Sequence, residues 1–185
     1  MMMSVNEANR VLADADLLAG ETEVTAAITK IAEELTTRLA DSRPLFFCVM
    51  NGGLIFAGQL LTKLNFPLEV EYVHATRYGA STSGGRLNWI VRPTRDLAGR
   101  TVVLLDDILD EGVTLGAIAD YCLEDGAREV LTAVLVDKIH DRKFKPGYRA
   151  DFTGLEIEDR FLFGYGLDYK GFWRNAPGIY AVKGL

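Results

Sequence analysis

Cysteine is nearly absent from this sequence: Cys48 and Cys122 are the only two in 185 residues, far apart and in no CxxC pair. Neither a disulfide nor a metal staple is needed. A chain of this length buries roughly 70% of its unfolded surface in one domain. Cys48 lies in the apolar run Leu45 to Met50 and reads as a packed thiol, which suits a cytoplasmic, reducing setting. Histidine is as scarce, with only His74 and His140 and no HExxH. There is no GxxxxGK[ST] phosphate loop and no GxSxG elbow, and Gly164-Tyr165-Gly166 lacks the last glycine of GxGxxG. No apolar run approaches the roughly 20 residues of a membrane span. Met1 to Arg10 has no apolar h-region, so a secretory leader is not expected. Positive charge is in deficit, with a formal net charge of −6 and a pI near 5.0. That disfavours nucleic acid or an anionic membrane as the main partner. A small phosphate ligand stays possible, because a few backbone amides and a local cation can hold one.

What is present is a globular mixture, 49% hydrophobic and 25% charged. Val5, Ala8, Val11, Leu12 and Ala15 recur at helical spacing, as do Val24, Ala27, Ile28, Ile31, Leu35 and Leu39 after a cap at Thr22. Leu45 to Met50 reads as a buried strand stopped by Asn51-Gly52-Gly53, with a helix from about Leu54 to Leu64. Strands follow at Leu68 to Arg77, Asn88 to Val91, Thr101 to Leu105 and Glu129 to Val136, with short ones near Phe161 to Phe163 and Ile179 to Val182. A helix reaching about Asp125 precedes the Gly126 cap. Tyr78 to Leu87 is polar and Gly/Ser/Thr-rich and reads as a surface loop. Strands alternating with helices define an α/β domain with a mostly parallel central sheet flanked by helices. Ligands of such sheets bind beyond the carboxyl ends of the strands. That rule singles out Asn51-Gly53, Asp106-Thr114 and Asp137-Lys138.

The richest of these is Asp106 to Thr114. Asp106, Asp107, Asp110 and Glu111 put four carboxylates within six residues, directly after the apolar Val102 to Leu105. Like charges this close repel. A cation or a sugar cis-diol would explain them. Capping a helix uses one or two acids, not four. Gly112 to Thr114 then opens a helix whose first amides lack internal partners and favour an anion. The segment can hold a sugar at one end and a phosphate at the other.

The string LLDDILDEGVTL resembles the phosphoribosyl pyrophosphate signature of type I phosphoribosyltransferases. FCVMNGG at 47–53, TRYGASTSGG at 76–85, VDKIHDRK at 136–143 and RFLFGYGLDYKGFWRN at 160–175 follow in family order. Together they resemble the hypoxanthine-guanine phosphoribosyltransferases. The resemblance implies one domain over residues 1–185, with a small hood from the N-terminal helices and about 150–185, and a lid at about 78–87 that includes Arg77 and Tyr78. It implies that Asp106 and Asp107 hold the ribose hydroxyls, directly or through Mg2+. Asp110 is the implied base, or acceptor, for purine N7. The amides of Glu111, Gly112, Val113 and Thr114, with the Thr114 hydroxyl, would bind the 5-phosphate. Lys138 would donate to the purine O6, Phe161 would stack on the base, and the Leu162 backbone would read its far edge. Asp168 would reach a second Mg2+, and Arg174 with Asn51-Gly52 would hold pyrophosphate. A non-proline cis peptide is implied at Met50-Asn51. Two positions depart from the family: Asn51 stands where many relatives carry Lys, and Glu111 replaces the commoner Thr. The Glu111 side chain is therefore expected to face away from the phosphate. Purine salvage in the cytoplasm by a homodimer or homotetramer is the implied role. A regulatory sensor of phosphoribosyl pyrophosphate or purines on the same fold is the alternative, and an enzyme for xanthine, uracil or adenine would differ only at the base pocket.

Overall fold

The computed structural model describes residues 3–77 and 87–184. The chain runs α1 (Val5–Asp14), β1 (Asp16–Ala19), α2 (Glu21–Leu39), β2 (Leu45–Val49), α3 (Gly53–Leu61), β3 (Glu69–Arg77), β4 (Leu87–Val91) and β5 (Thr101–Leu109). It continues through α4 (Val113–Glu124), β6 (Glu129–Ile139), β7 (Phe152–Glu158), β8 (Leu162–Phe163) and β9 (Ile179–Ala181). The main sheet has six strands in the order β4-β3-β2-β5-β6-β7. All its pairings are parallel except β3 with β4.

Alternating side chains send each strand to both faces. Phe46, Val103 and Leu105 point to the core shared with α2 and α3. Phe47, Val102 and Leu104 point to the core shared with α4. This two-sided burial is why β2 and β5 read as unbroken apolar runs rather than alternating ones. A second sheet, β1-β9-β8, joins the two ends of the chain. Arg160 Nη2 pairs with Asp16 Oδ2 at 2.7 Å, and the Trp173 indole N–H donates to the Ala8 carbonyl at 2.7 Å, so the same two ends are also tied by side chains.

Several expected boundaries move. The cap of α2 is Gly20 rather than Thr22, and the Glu23 carboxylate accepts from the Gly20 amide at 2.8 Å. Strand β1, only four residues long, gives too little periodicity to read and forms by pairing with β9. Phe152–Glu158, unread in the sequence, is the edge strand of the main sheet beside β6. Strand β5 continues to Leu109 and β6 to Ile139, past the expected ends at Leu105 and Val136. The extension is held by β6, whose Val134, Val136 and Asp137 face Asp106, Ile108 and Leu109. On its other side β5 loses its neighbour once β2 ends at Val49. The Gly52-Gly53 turn packs there, against Leu105 to Asp107. The expected lid at 78–87 lies outside the described residues apart from Leu87, as does Tyr78; Arg77 ends β3. Among the described residues no helix is long and apolar enough to cross a membrane.

Gly154 sits in β7 where α2 crosses it. A Cβ there would stand 2.7 Å from the Leu135 carbonyl and 3.3 Å from both Ala27 Cβ and Ile31 Cδ1. Gly154→Ala should therefore destabilise the fold by about 1–3 kcal/mol, the usual cost of overpacking, read as a lower urea midpoint.

Candidate active site

The acids come first. Asp106 and Asp107 lie in the part of β5 that runs past the end of β2, still paired with β6, and the Asp106 carboxylate accepts from the Asp107 amide at 3.0 Å. Asp107 is buried and Asp106 half-buried. Burial raises the proton affinity of both carboxyls, that of Asp106 well above the ordinary range, where the neighbouring Asp107 adds repulsion. Arg174 partly offsets this at both. Two glycines close on the pair. A Cβ on Gly52 would lie 2.2 Å from Asp107 Oδ2, and one on Gly166, at φ +113°, would lie 2.3 Å from the Gly52 carbonyl and 3.1 Å from Asp107 Cβ. The Met50-Asn51 peptide at the head of that turn is cis, as the resemblance implied. Adjacent hard oxygen donors with raised proton affinity are suited to a hard divalent cation.

The chain then turns through Asp110, Glu111 and Gly112, whose φ of +81° places it at the head of α4. A Cβ on Gly112 would meet Leu109 Cδ1 at 2.8 Å and the Tyr148 ring at 2.9 Å, so glycine lets this turn lie flat on its support. The Gly116 amide makes the first helical bond, to Gly112 at 2.8 Å. The amides before it are left to face a cavity of about 380 Å³ lined by Asp106, Asp107 and Asp110 through Leu115. A second cavity of about 230 Å³ is lined by Lys138, Phe161, Leu162, Leu167 and Asp168, together with Asp107, Ile108 and Asp110. The two cavities thus share the Asp107–Asp110 wall. Phe161 is 43% exposed, unusual for so large a ring, and it meets the Tyr169 ring edge to face with centroids 5.5 Å apart.

Lys138 is buried at the end of β6 and bridges two carboxylates, Asp110 at 3.3 Å and Asp159 at 3.1 Å. Asp159 is held well below the usual carboxylate range by hydrogen bonds from Arg142 and Lys138. Asp168 pairs with Arg174, which also donates to the Gly166 carbonyl at 2.5 Å. Asn51 is exposed. Asp137 was singled out with Lys138. It is fully buried and paired to Lys143 at 2.8 Å, with Arg149 Nε 2.7 Å away but off the hydrogen-bonding axis. Lys143 Nζ then donates to the carbonyls of Leu109 and Asp110, each at 2.7 Å, bracing the acidic turn from behind.

Sequence reasoning overlooked Asp159, Ile108, Leu167 and Gly166, and it gave His140 no role. The His140 side chain is turned inward, with Nε2 2.7 Å from Asp110 Oδ1. Oxygen and nitrogen atoms of Asp110, His140 and Asp159 lie close enough to surround a metal ion. Here they are engaged with one another, Lys138 and Arg142 instead.

A crevice at the carboxyl end of a parallel sheet, with an acidic strand end and a glycine-opened helix, defines an α/β domain for sugar phosphates. Residues 16–170 match the family model described as phosphoribosyl transferase domain. The chain is 33% identical over 168 residues to the hypoxanthine-guanine phosphoribosyltransferase of Bacillus subtilis, covering 90% of this chain and 92% of that one. It is 32% identical to the Aquifex aeolicus protein of the same name, over 90% and 94% of the two chains. A solved hypoxanthine-guanine-xanthine phosphoribosyltransferase superposes with a TM-score of 0.83 at 27% identity, over 92% of this chain and 99% of the other. The chain belongs to the hypoxanthine-guanine phosphoribosyltransferase family.

The buried acid pair opposes folding at neutral pH, because both carboxyls bind protons more tightly folded than unfolded. That penalty fades as pH falls through their raised titration range. Asp106→Asn should melt at or above the parent's temperature at neutral pH, and the difference should shrink in acid. A markedly lower midpoint at neutral pH would mean that the carboxylate makes a stabilising contact.

Proposed function

We propose that this chain salvages purines, transferring the phosphoribosyl group of phosphoribosyl pyrophosphate to hypoxanthine or guanine to give IMP or GMP and pyrophosphate. The observation that carries this reading is the wall common to the two cavities. One is suited to a sugar phosphate and the other to a flat base, and Asp107, Ile108 and Asp110 line both. A ribose in the first would present its C1 toward a base in the second.

On this reading the amides of Glu111 to Thr114 and the Thr114 hydroxyl bind the 5-phosphate. Asp106 and Asp107 accept from the ribose hydroxyls. Mg2+, a fit for these paired carboxylates, supplies neutralisation of the leaving pyrophosphate when bound. Asp168 is the further carboxylate toward a second ion, and Arg174 and the Asn51-Gly52 turn take the pyrophosphate. Phe161 stacks on the base, and the Leu162 backbone reads its edge. Lys138 leaves its carboxylates to donate to O6, and a 6-amino base would set donor against donor. Asp110, relieved of that ammonium, accepts the N7 proton. The 78–87 segment, with Arg77 and Tyr78, serves as the lid that keeps water from the activated sugar. The enzyme is read as cytoplasmic and as a homodimer or homotetramer.

A panel of hypoxanthine, guanine, xanthine, adenine and uracil with donor and Mg2+ should give nucleotide from the first two and none from adenine. Donor binding by calorimetry without product from any base would instead support a sensor. Asp110→Asn should cut kcat by about 10² to 10⁴, the usual worth of general-base help, while donor affinity is retained. Lys138→Ala should raise KM for hypoxanthine and guanine with a smaller effect on the donor. Equal losses for every ligand would point to a folding defect.

A further inference from the structure

Asp110 has two partners of different character. Lys138 approaches Oδ2 at 3.3 Å and is shared with Asp159. His140 approaches Oδ1 at 2.7 Å, and its side chain is only 5% exposed. The backbone amide of Arg142 donates to His140 Nδ1 at 3.0 Å. A nitrogen that accepts carries no proton, so the ring hydrogen sits on Nε2, facing the carboxylate. The imidazole is thereby fixed as a neutral donor to one oxygen of Asp110.

We infer that His140 is a positioning residue for the proton-accepting carboxylate, holding Oδ1 of Asp110 so that Oδ2 faces the base pocket when Lys138 swings to the purine. The inference rests on the reading of Asp110 as acceptor of the N7 proton. The balance of the step is simple: the N7–H bond breaks as the N–H proton moves to Oδ2, and the electron pair left on the purine remains in its ring system. His140 gives up no proton in the cycle. A neutral donor suits this task. It orients the carboxylate without the added positive charge that would depress its proton affinity. The arrangement has two independent supports, since Lys143 holds the Asp110 backbone carbonyl at 2.7 Å while His140 holds the carboxylate. Without His140 the carboxylate could rotate about its last bond, and small displacements of a reacting group are costly in rate.

Steady-state kinetics on His140→Ala, His140→Gln and Asp110→Asn, with melting temperatures measured in parallel, test this. His140→Ala should lower kcat about tenfold, the rate equivalent of one ordinary hydrogen bond, with KM for the donor unchanged. His140→Gln, whose side-chain amide can donate from nearly the same place, should recover to within about threefold of the parent. If Asp110→Asn is crippled but His140→Ala turns over normally, the positioning role is wrong and the base assignment survives. If Asp110→Asn itself turns over at the parental rate, the base assignment fails and takes this inference with it. A loss confined to KM for the purine, or one that glutamine does not repair, would assign His140 to Lys138 or to packing and overturn the proposal.

Discussion

The structure is arranged around an unfavourable contact, two carboxylates side by side at the end of a buried strand. Asp106 and Asp107 hold on to protons more tightly than free side chains would, because burial strips their water. Nothing in the packing of β5 needs acids there; Val102 to Leu105 already fill both cores. The surroundings instead accommodate them. Gly52 and Gly166 keep the space against Asp107 free of side chains, and Arg174 lends a nearby positive charge. A fold that tolerates such a pair is predisposed to anything that brings positive charge or hydroxyl donors to it. Function at this site thus offsets a local cost of folding, a common trade in enzymes.

The base pocket solves its charge problem differently. Lys138 is buried, but Asp110 and Asp159 surround it, and Arg142 supports Asp159 from the outside. The ammonium is thus fully partnered before any base arrives. It can exchange one acceptor for another without being left unpaired in a low-dielectric site, which is the expensive alternative. Behind this pair, Asp137 and Lys143 form a second buried ion pair whose spare donors brace the Leu109-Asp110 carbonyls. The acidic turn is therefore held from the rear by charge and from below by the Tyr148 ring under Gly112.

How far the sequence could be read follows from this division. The donor cavity is built almost entirely from one contiguous run, Asp106 to Leu115, so spacing along the chain is nearly spacing in space. Four acids followed by a glycine announce it. The base cavity gathers Lys138, Phe161, Leu162, Leu167 and Asp168 from separate segments, and each of these residues alone has an ordinary core or surface explanation. Only their order relative to family motifs made them legible. The continuation of β5 into the acids was missed because charge reads as the end of a buried strand. Here one-sided pairing with β6 carries the ladder onward past the end of β2. Strands β1 and β7 were illegible for other reasons, one too short and the other interrupted by Gly154. His140 was hidden by its neighbours. Among Lys138, Arg142, Lys143 and Lys145 it looks like one more solvated cation, and only the turn at Arg142 folds it inward.

The placement of Asp110 draws these observations together. It lies just past the end of β5 and before the first residue of α4, so the sheet fixes one side of it and the helix entry the other. That position gives it a place in the walls of both cavities. Of the four acids, Asp106 and Glu111 line only the sugar-phosphate cavity, and Asp107 and Asp110 line both. A residue that must respond to a base while a sugar phosphate is bound has to stand at the junction of the two. In a parallel sheet, the strand-to-helix turn is where one short segment can reach both.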